Sequence, residues 1–186
     1  MSRLQRIKAI ASRKASSMLG RLIDAVLILL VCIAINSCHE IDDDRIPSYP
    51  VSINLGEAAM WHTYGVSGYG IHRQFIKELR EPAGFPYLER SFTGFGGVLL
   101  IGGMDPFSTQ TNIPLAYDLA CPVERKQDVR VKIDPSTYEA ICPVCGSVYD
   151  VTMSGGSPIS GPAYKDRYGL RRYKCLPGNG GYLITN

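Results

Sequence analysis

Histidine is nearly absent from this 186-residue chain, with three copies at His39, His62 and His72 and none in the long stretch that follows. That removes the usual general base for a serine or cysteine nucleophile from most of the chain, and no carboxylate pair stands out to replace it. Long apolar runs are missing too. Residues 22–35 form the main one, broken by Asp24, and about fourteen residues are short for a membrane-spanning helix. A basic excess is missing from the body of the chain. Residues 1–37 hold six basic side chains and one acid, which leaves fourteen basic against sixteen acidic side chains beyond them. Such a balance gives no electrostatic footprint for nucleic acid, and that class of partner is excluded. The glycine-rich Gly65-Val66-Ser67-Gly68-Tyr69-Gly70 lacks a following lysine, so it reads as turns between strands and not as a phosphate loop.

What is present points to a β protein. Apolar residues make up 45% of the chain, and 19 glycines, 12 prolines and 11 tyrosines favour a turn-rich fold over a helical bundle. The length suits one domain with its own core. Residues 51–55 alternate apolar and polar as a half-buried first strand would, and residues 61–64 read as a second short strand. Residues 74–80 fit a helical turn or an extended segment equally well. The apolar run 98–101, flanked by Gly96, Gly97, Gly102 and Gly103, reads as a buried strand. Val129, Val131 and Ile133 alternate with Arg130 and Lys132, a strand with one wet face. Asp134-Pro135-Ser136-Thr137 is a turn, since proline presets φ for such a corner. Residues 113–119, 138–141, 148–151, 169–175 and 181–185 complete a series of short strands. The expected class is all-β, a small antiparallel barrel or sandwich.

The N-terminus reads as a targeting segment. Basic residues precede the apolar run, and Ile35-Asn36-Ser37-Cys38 follows it. That ending resembles a bacterial lipobox, which implies cleavage before Cys38 and a diacylated cysteine. Residues 1–37 are then a signal peptide, and Met18 offers a more ordinary start for it. Acidic residues follow in His39-Glu40-Ile41-Asp42-Asp43-Asp44, a run that resembles the surface-export signal of lipoproteins from Bacteroides-like bacteria. The competing reading is a solvated tether. Residues 38–50 form the lipidated cysteine and an acidic linker whose composition cannot bury enough surface to order itself. The domain spans residues 51–186. The expected location is the periplasmic side of a membrane or the cell surface, at the outer membrane, anchored through lipid on Cys38.

The chemistry-bearing residues are cysteines. Cys142-Pro143-Val144-Cys145-Gly146-Ser147-Val148-Tyr149-Asp150 puts two thiols in a tight loop that runs into a strand, and Cys121-Pro122 offers a third thiol. Two Cys-Pro loops closing on one point indicate a metal or cluster site, or the remains of one. A thioredoxin-like redox site fits poorly, because such motifs open a helix whose N-terminus activates the thiol, and here a turn and strand follow.

The order of these motifs resembles the Rieske iron–sulfur domain family over residues 95–186. The two cysteine loops match the family's cluster-binding loops. Gly155-Gly156, Ser160-Gly161-Pro162-Ala163 and Leu170-Arg171-Arg172-Tyr173 match its later loop and strand. The resemblance implies a small antiparallel β fold and a 2Fe-2S cluster, with Cys121 and Cys142 in the places of the cysteine ligands. Val123 and Cys145 stand where the family has its histidines. Cys145 can still ligate, whereas Val123 cannot, so a fourth ligand would come from Glu124 or Cys175. His39, His62 and His72 read as linker or surface residues.

Three chemistries follow for the site. One is a 2Fe-2S cluster with an altered ligand set, which would make the domain an electron-transfer module with a redox partner protein and not a catalyst in its own right. Another is zinc held by thiolates in a closed tetrahedral site. The last is no metal at all, with the loops joined by a disulfide worth about 3 kcal/mol in a structural or binding lipoprotein. Tyr64, Tyr69, Tyr87, Phe92 and Phe95 would then offer a binding face, although core packing is the simpler use for them.

Overall fold

A computed structural model describes residues 40–105, 110–153 and 155–186. The expected signal peptide, the Met18 start and the lipidated Cys38 fall outside the described residues. Among those residues no helix is long and apolar enough to cross a membrane.

The chain from Ile41 to Asn186 is one compact unit, mostly β. Its strands are β1 (Val51–Glu57), β2 (His72–Phe75), β3 (Phe92–Thr93), β4 (Val98–Met104), β5 (Thr111–Asp118), β6 (Lys132–Ile133), β7 (Ala140–Ile141), β8 (Val148–Asp150), β9 (Ser157–Ser160), β10 (Arg172–Pro177) and β11 (Gly180–Thr185). Seven of them form one antiparallel, nearly closed barrel-like sheet in the order β2-β4-β5-β10-β11-β1-β3. The other four, β6-β7-β8-β9, form a small antiparallel sheet. The expected all-β small barrel is what the chain adopts.

Strand β4 explains how the two sheets share a domain. Its Val98 and Leu100 face one core, with Val51, Ile53, Leu55, Phe75 and Ile184. Its Leu99 and Ile101 face another, with Tyr117, Leu119, Cys121, Cys142, Tyr149 and Leu170. Alternate side chains of a strand point to opposite faces, so a strand buried on both sides has to read as an unbroken apolar run. Gly102 and Gly103 end that run because the neighbours approach too closely for a side chain. A Cβ on Gly102 would lie 2.0 Å from the Gly68 carbonyl oxygen.

Two expectations need correction. Residues 61–64 are not a strand but part of a helix, Ala58–Tyr64, closed by the Gly65 N–H on the Trp61 carbonyl. Ala58, Ala59 and Met60 are good helix formers, and the helix lies against β1 and β11 with the Trp61 ring 4.9 Å from that of Tyr182. The acidic segment read as an unordered linker is bound to the domain. Asp42 bridges to Tyr168, Ile46 is fully buried, and Arg171 reaches the Ile46 carbonyl at 2.7 Å. Specific partners, and not composition, order it. The undecided stretch 74–80 divides: β2 ends at Phe75, and a 3-10 turn covers Lys77–Leu79.

Candidate metal centre

The first cysteine loop leaves the end of β5. The Cys121 N–H bonds to the Val129 carbonyl (3.0 Å) and the Cys121 carbonyl accepts from Arg125 N–H (2.8 Å). This closed turn aims the backbone N–H groups of Val123 and Glu124 at the Cys121 sulfur. Of the strand expected over residues 129–133 only Lys132–Ile133 forms one, β6, while Val131 just before it is buried and its N–H bonds to the Leu119 carbonyl at 2.8 Å.

The second loop joins β7 to β8. It is closed by Cys142 N–H on the Ser147 carbonyl (2.9 Å) and by Gly146 N–H on the Cys142 carbonyl (3.0 Å). Gly146 has φ +70°, a left-handed conformation that glycine takes without strain. Ser147 Oγ lies 3.2 Å from Cys145 Sγ and accepts the Ala163 N–H at 3.0 Å. Gly161 lets the following short helix, Pro162–Asp166, sit on this loop. With φ +80°, a Cβ there would come within 2.8 Å of the Ser147 Cα.

These two loops bring Cys121, Cys142 and Cys145 together, with all three sulfurs within 4.8 Å of one another. Cys121 and Cys145 are 3.6 Å apart and unbonded. Cys121 and Cys142 are fully buried, while Cys145 is half-buried beside the exposed Val144. The buried Tyr149 hydroxyl stands 3.5 Å from Cys121 Sγ. A metal–sulfur bond of about 2.3 Å in tetrahedral geometry sets neighbouring sulfurs about 3.8 Å apart, so the spacing suits one metal ion held by three thiolates.

The thiols are electrically unequal. Burial pushes the Cys121 thiol up to about 12, against the pull of the Tyr149 hydroxyl and the Glu124 and Val123 N–H groups. For Cys145, burial also raises the value, but the Ser147 hydroxyl and N–H and the two neighbouring thiols together outweigh it. Its net shift is downward. Cys145 is therefore the first of the pair to become a thiolate.

The other candidate ligands do not join the group. Cys175 lies on β10 and packs against the opposite core, and burial alone pushes its thiol up to about 12. Glu124 is half-buried on the first loop, outside the set of ligand atoms that converge. Val123 packs on the core and offers no lone pair. A two-iron cluster takes two donors on each iron, and the residues gathered here are one donor short of that set. His62 and His72 lie on the Ala58–Tyr64 helix and on β2, outside the group.

One contributor carried no sequence signal. Asp118 is fully buried, and its carboxylate accepts the N–H groups of Phe95 (2.9 Å), Gly96 (3.0 Å) and Ala120 (2.7 Å) and the Tyr173 hydroxyl (2.6 Å). Burial raises its proton affinity above the ordinary carboxylate range, while these bonds oppose that rise. It anchors the backbone immediately before Cys121. No family model matches this sequence, and no curated protein matches it.

Proposed function

We propose that this chain is a membrane-anchored lipoprotein of the periplasmic side or cell surface. Its Rieske-like domain uses Cys121, Cys142 and Cys145 to hold a single thiolate-preferring metal ion, such as zinc. The convergence of three sulfurs from two separate loops carries this reading. Such an ion would tie the two loops together, with Cys121 and Cys142 holding it from the buried side and Cys145 from the half-buried one. Soft thiolates favour zinc and related ions over magnesium or calcium.

A second reading keeps an electron-transfer module with a 2Fe-2S cluster and a redox partner. The order of the two Cys-Pro loops favours it, and completing the cluster would take a donor from outside the group. Anaerobic purification with metal analysis and visible absorption separates the readings. About one zinc per chain and no colour supports the single-ion site. Two irons with visible absorption replaces it with the cluster. Metal-free protein that has lost two thiols to a Cys121–Cys145 bond leaves a disulfide-stapled binding domain.

A further inference from the structure

The acidic segment that follows Cys38 is a strap, and its path selects one face of the domain. Asp42 donates its N–H to the Arg167 carbonyl and accepts the Gly169 N–H, both at 2.9 Å. Asp43 pairs with Arg172 at 3.2 Å, and Asp44 with Arg171 at 2.9 Å. The Arg45 guanidinium lies 4.0 Å from the centroid of the Tyr168 ring. Farther on, Asn186 Nδ2 donates to the Tyr49 carbonyl at 3.2 Å. A free segment of twelve residues would let the domain drift about 40 Å from its anchor. The strap removes nearly all of that freedom, because it is fastened from Asp42 onward.

Only His39 and Glu40 separate Cys38 from Ile41, so chain length holds the two Cα atoms within about 11 Å. The headgroup layer on one side of a bilayer is itself about 5–7 Å thick. We propose that the face around Ile41, Tyr164, Lys165 and Arg167 rests on the lipid bilayer surface. The proposal builds on the reading of Cys38 as the lipidated residue. Ile41 and the Pro162–Asp166 helix border a cleft of about 420 Å³, lined by Ile41, Pro158, Tyr164, Lys165 and Arg167. Tyr164 is 61% exposed and Ile41 38% exposed, an aromatic and an aliphatic group with no core to fill. Lys165 and Arg167 can lay their stems on apolar surface while their charges stay at headgroup level. Asp42 and Asp166 adjoin Ile41, Lys165 and Arg167 in the sequence, so the formal charges of these segments cancel. Contact therefore depends on the short anchor and the apolar groups, and a zwitterionic surface suffices. The helix that carries Tyr164 also gives its Ala163 N–H to Ser147, two residues from Cys145. The second cysteine loop consequently sits directly behind the membrane-facing helix.

The single tryptophan makes the test clean. Trp61 packs at a tilt against Tyr182, opposite Pro177 at the far end of β10 from Arg172, where the strap is fastened. The protein, expressed from its full-length sequence and purified in detergent from a bacterial membrane fraction, is reconstituted in phosphatidylcholine vesicles that contain a doxyl-labelled phosphatidylcholine quencher. In the Trp61→Phe/Tyr164→Trp variant the new tryptophan should lose roughly half its emission, as expected for a side chain seated about 5–10 Å into the boundary. Native Trp61 in the unmodified chain should be unaffected. Inserting a flexible glycine–serine segment between Glu40 and Ile41 should restore the emission while the protein stays on the vesicles. Vesicle-bound protein with an unquenched tryptophan at position 164 overturns the orientation and leaves the lipoprotein reading intact. Protein that does not float with the vesicles removes the lipidation reading, and the proposal with it. If the double variant fails to fold, a photoreactive benzophenone amino acid placed at position 164 decides the same question, since a lipid adduct there supports the orientation and its absence in vesicle-bound protein overturns it.

Discussion

On one side of β4, Val98 and Leu100 face a core of aliphatic and aromatic groups, and the thiol at its edge, Cys175, meets nothing but burial. On the other side, Leu99 and Ile101 face a core that contains Cys121 and Cys142. Burial pushes Cys121 and Cys175 to the same height, about 12. What distinguishes Cys121 is its company. Two backbone N–H groups and a tyrosine hydroxyl are directed at its sulfur, and Cys145 stands 3.6 Å away. A buried thiol on a strand is a small hydrophobe. A buried thiol on a closed turn, with N–H groups aimed at it and a second thiol beside it, is placed where a thiolate could be held.

The sharpest way to break that contrast is to remove one thiol on each side. Cys145→Ser should weaken metal binding by more than roughly 100-fold, because losing even a supporting partner of a metal ligand costs 10–100-fold. Cys175→Ser should leave binding unchanged. Competition with a chromophoric chelator reads both, and equal losses would erase the distinction between the two thiols.

The wall between the cores gives the next effect. Leu100→Ala and Leu99→Ala should each cost about 3 kcal/mol in urea unfolding, as buried leucines do. Only Leu99→Ala, which opens the thiol-bearing core, should also lower metal affinity. Gly161→Ala comes third. Its positive φ and the 2.8 Å approach of a Cβ to Ser147 should destabilise the chain by more than about 1 kcal/mol and displace the second cysteine loop. Circular dichroism melting with and without metal would show a larger loss in the metal-bound form.

Titration of the metal-free domain sharpens the comparison in a different way. Cys121 and Cys175 are held neutral in the fold, with values raised from 9.0 to about 12. Their contribution is fully present below pH 9 and is lost as the pH rises towards 12, because the unfolded chain releases these protons first. Cys145, with its lowered value, should alkylate fastest with iodoacetamide at pH 8, read by peptide mapping. The smallest effect belongs to the strap: Arg172→Ala, which removes an exposed ion pair with Asp43, should cost no more than about 0.5 kcal/mol.

Much of the fold could be read from local pattern. The run at residues 98–101 announced a buried strand, and the alternation at 129–133 placed Val131 inside and Lys132 outside. The helix Ala58–Tyr64 was hidden because its seven residues are too few to display a period, and its cover of β1 and β11 is a tertiary matter. Asp118 was hidden for a related reason. An aspartate at a strand end looks solvated until Phe95, Gly96, Ala120 and Tyr173 are seen to surround it. The strap was misread because composition counts charges and does not know that Arg171 and Arg172 wait for Asp44 and Asp43.

By itself the sequence determined the class of fold and singled out Cys121, Cys142 and Cys145 as candidate ligands, since strand periodicity and the spacing of Cys-Pro loops are local properties of the chain. Only the tertiary structure decided which thiols meet. Cys142 and Cys145 are neighbours by covalent linkage, but Cys121 reaches them only because β5 delivers its loop into the core that β7 and β8 close. Cys175 is excluded by the same strand pairing, since its place on β10 turns it to the other core.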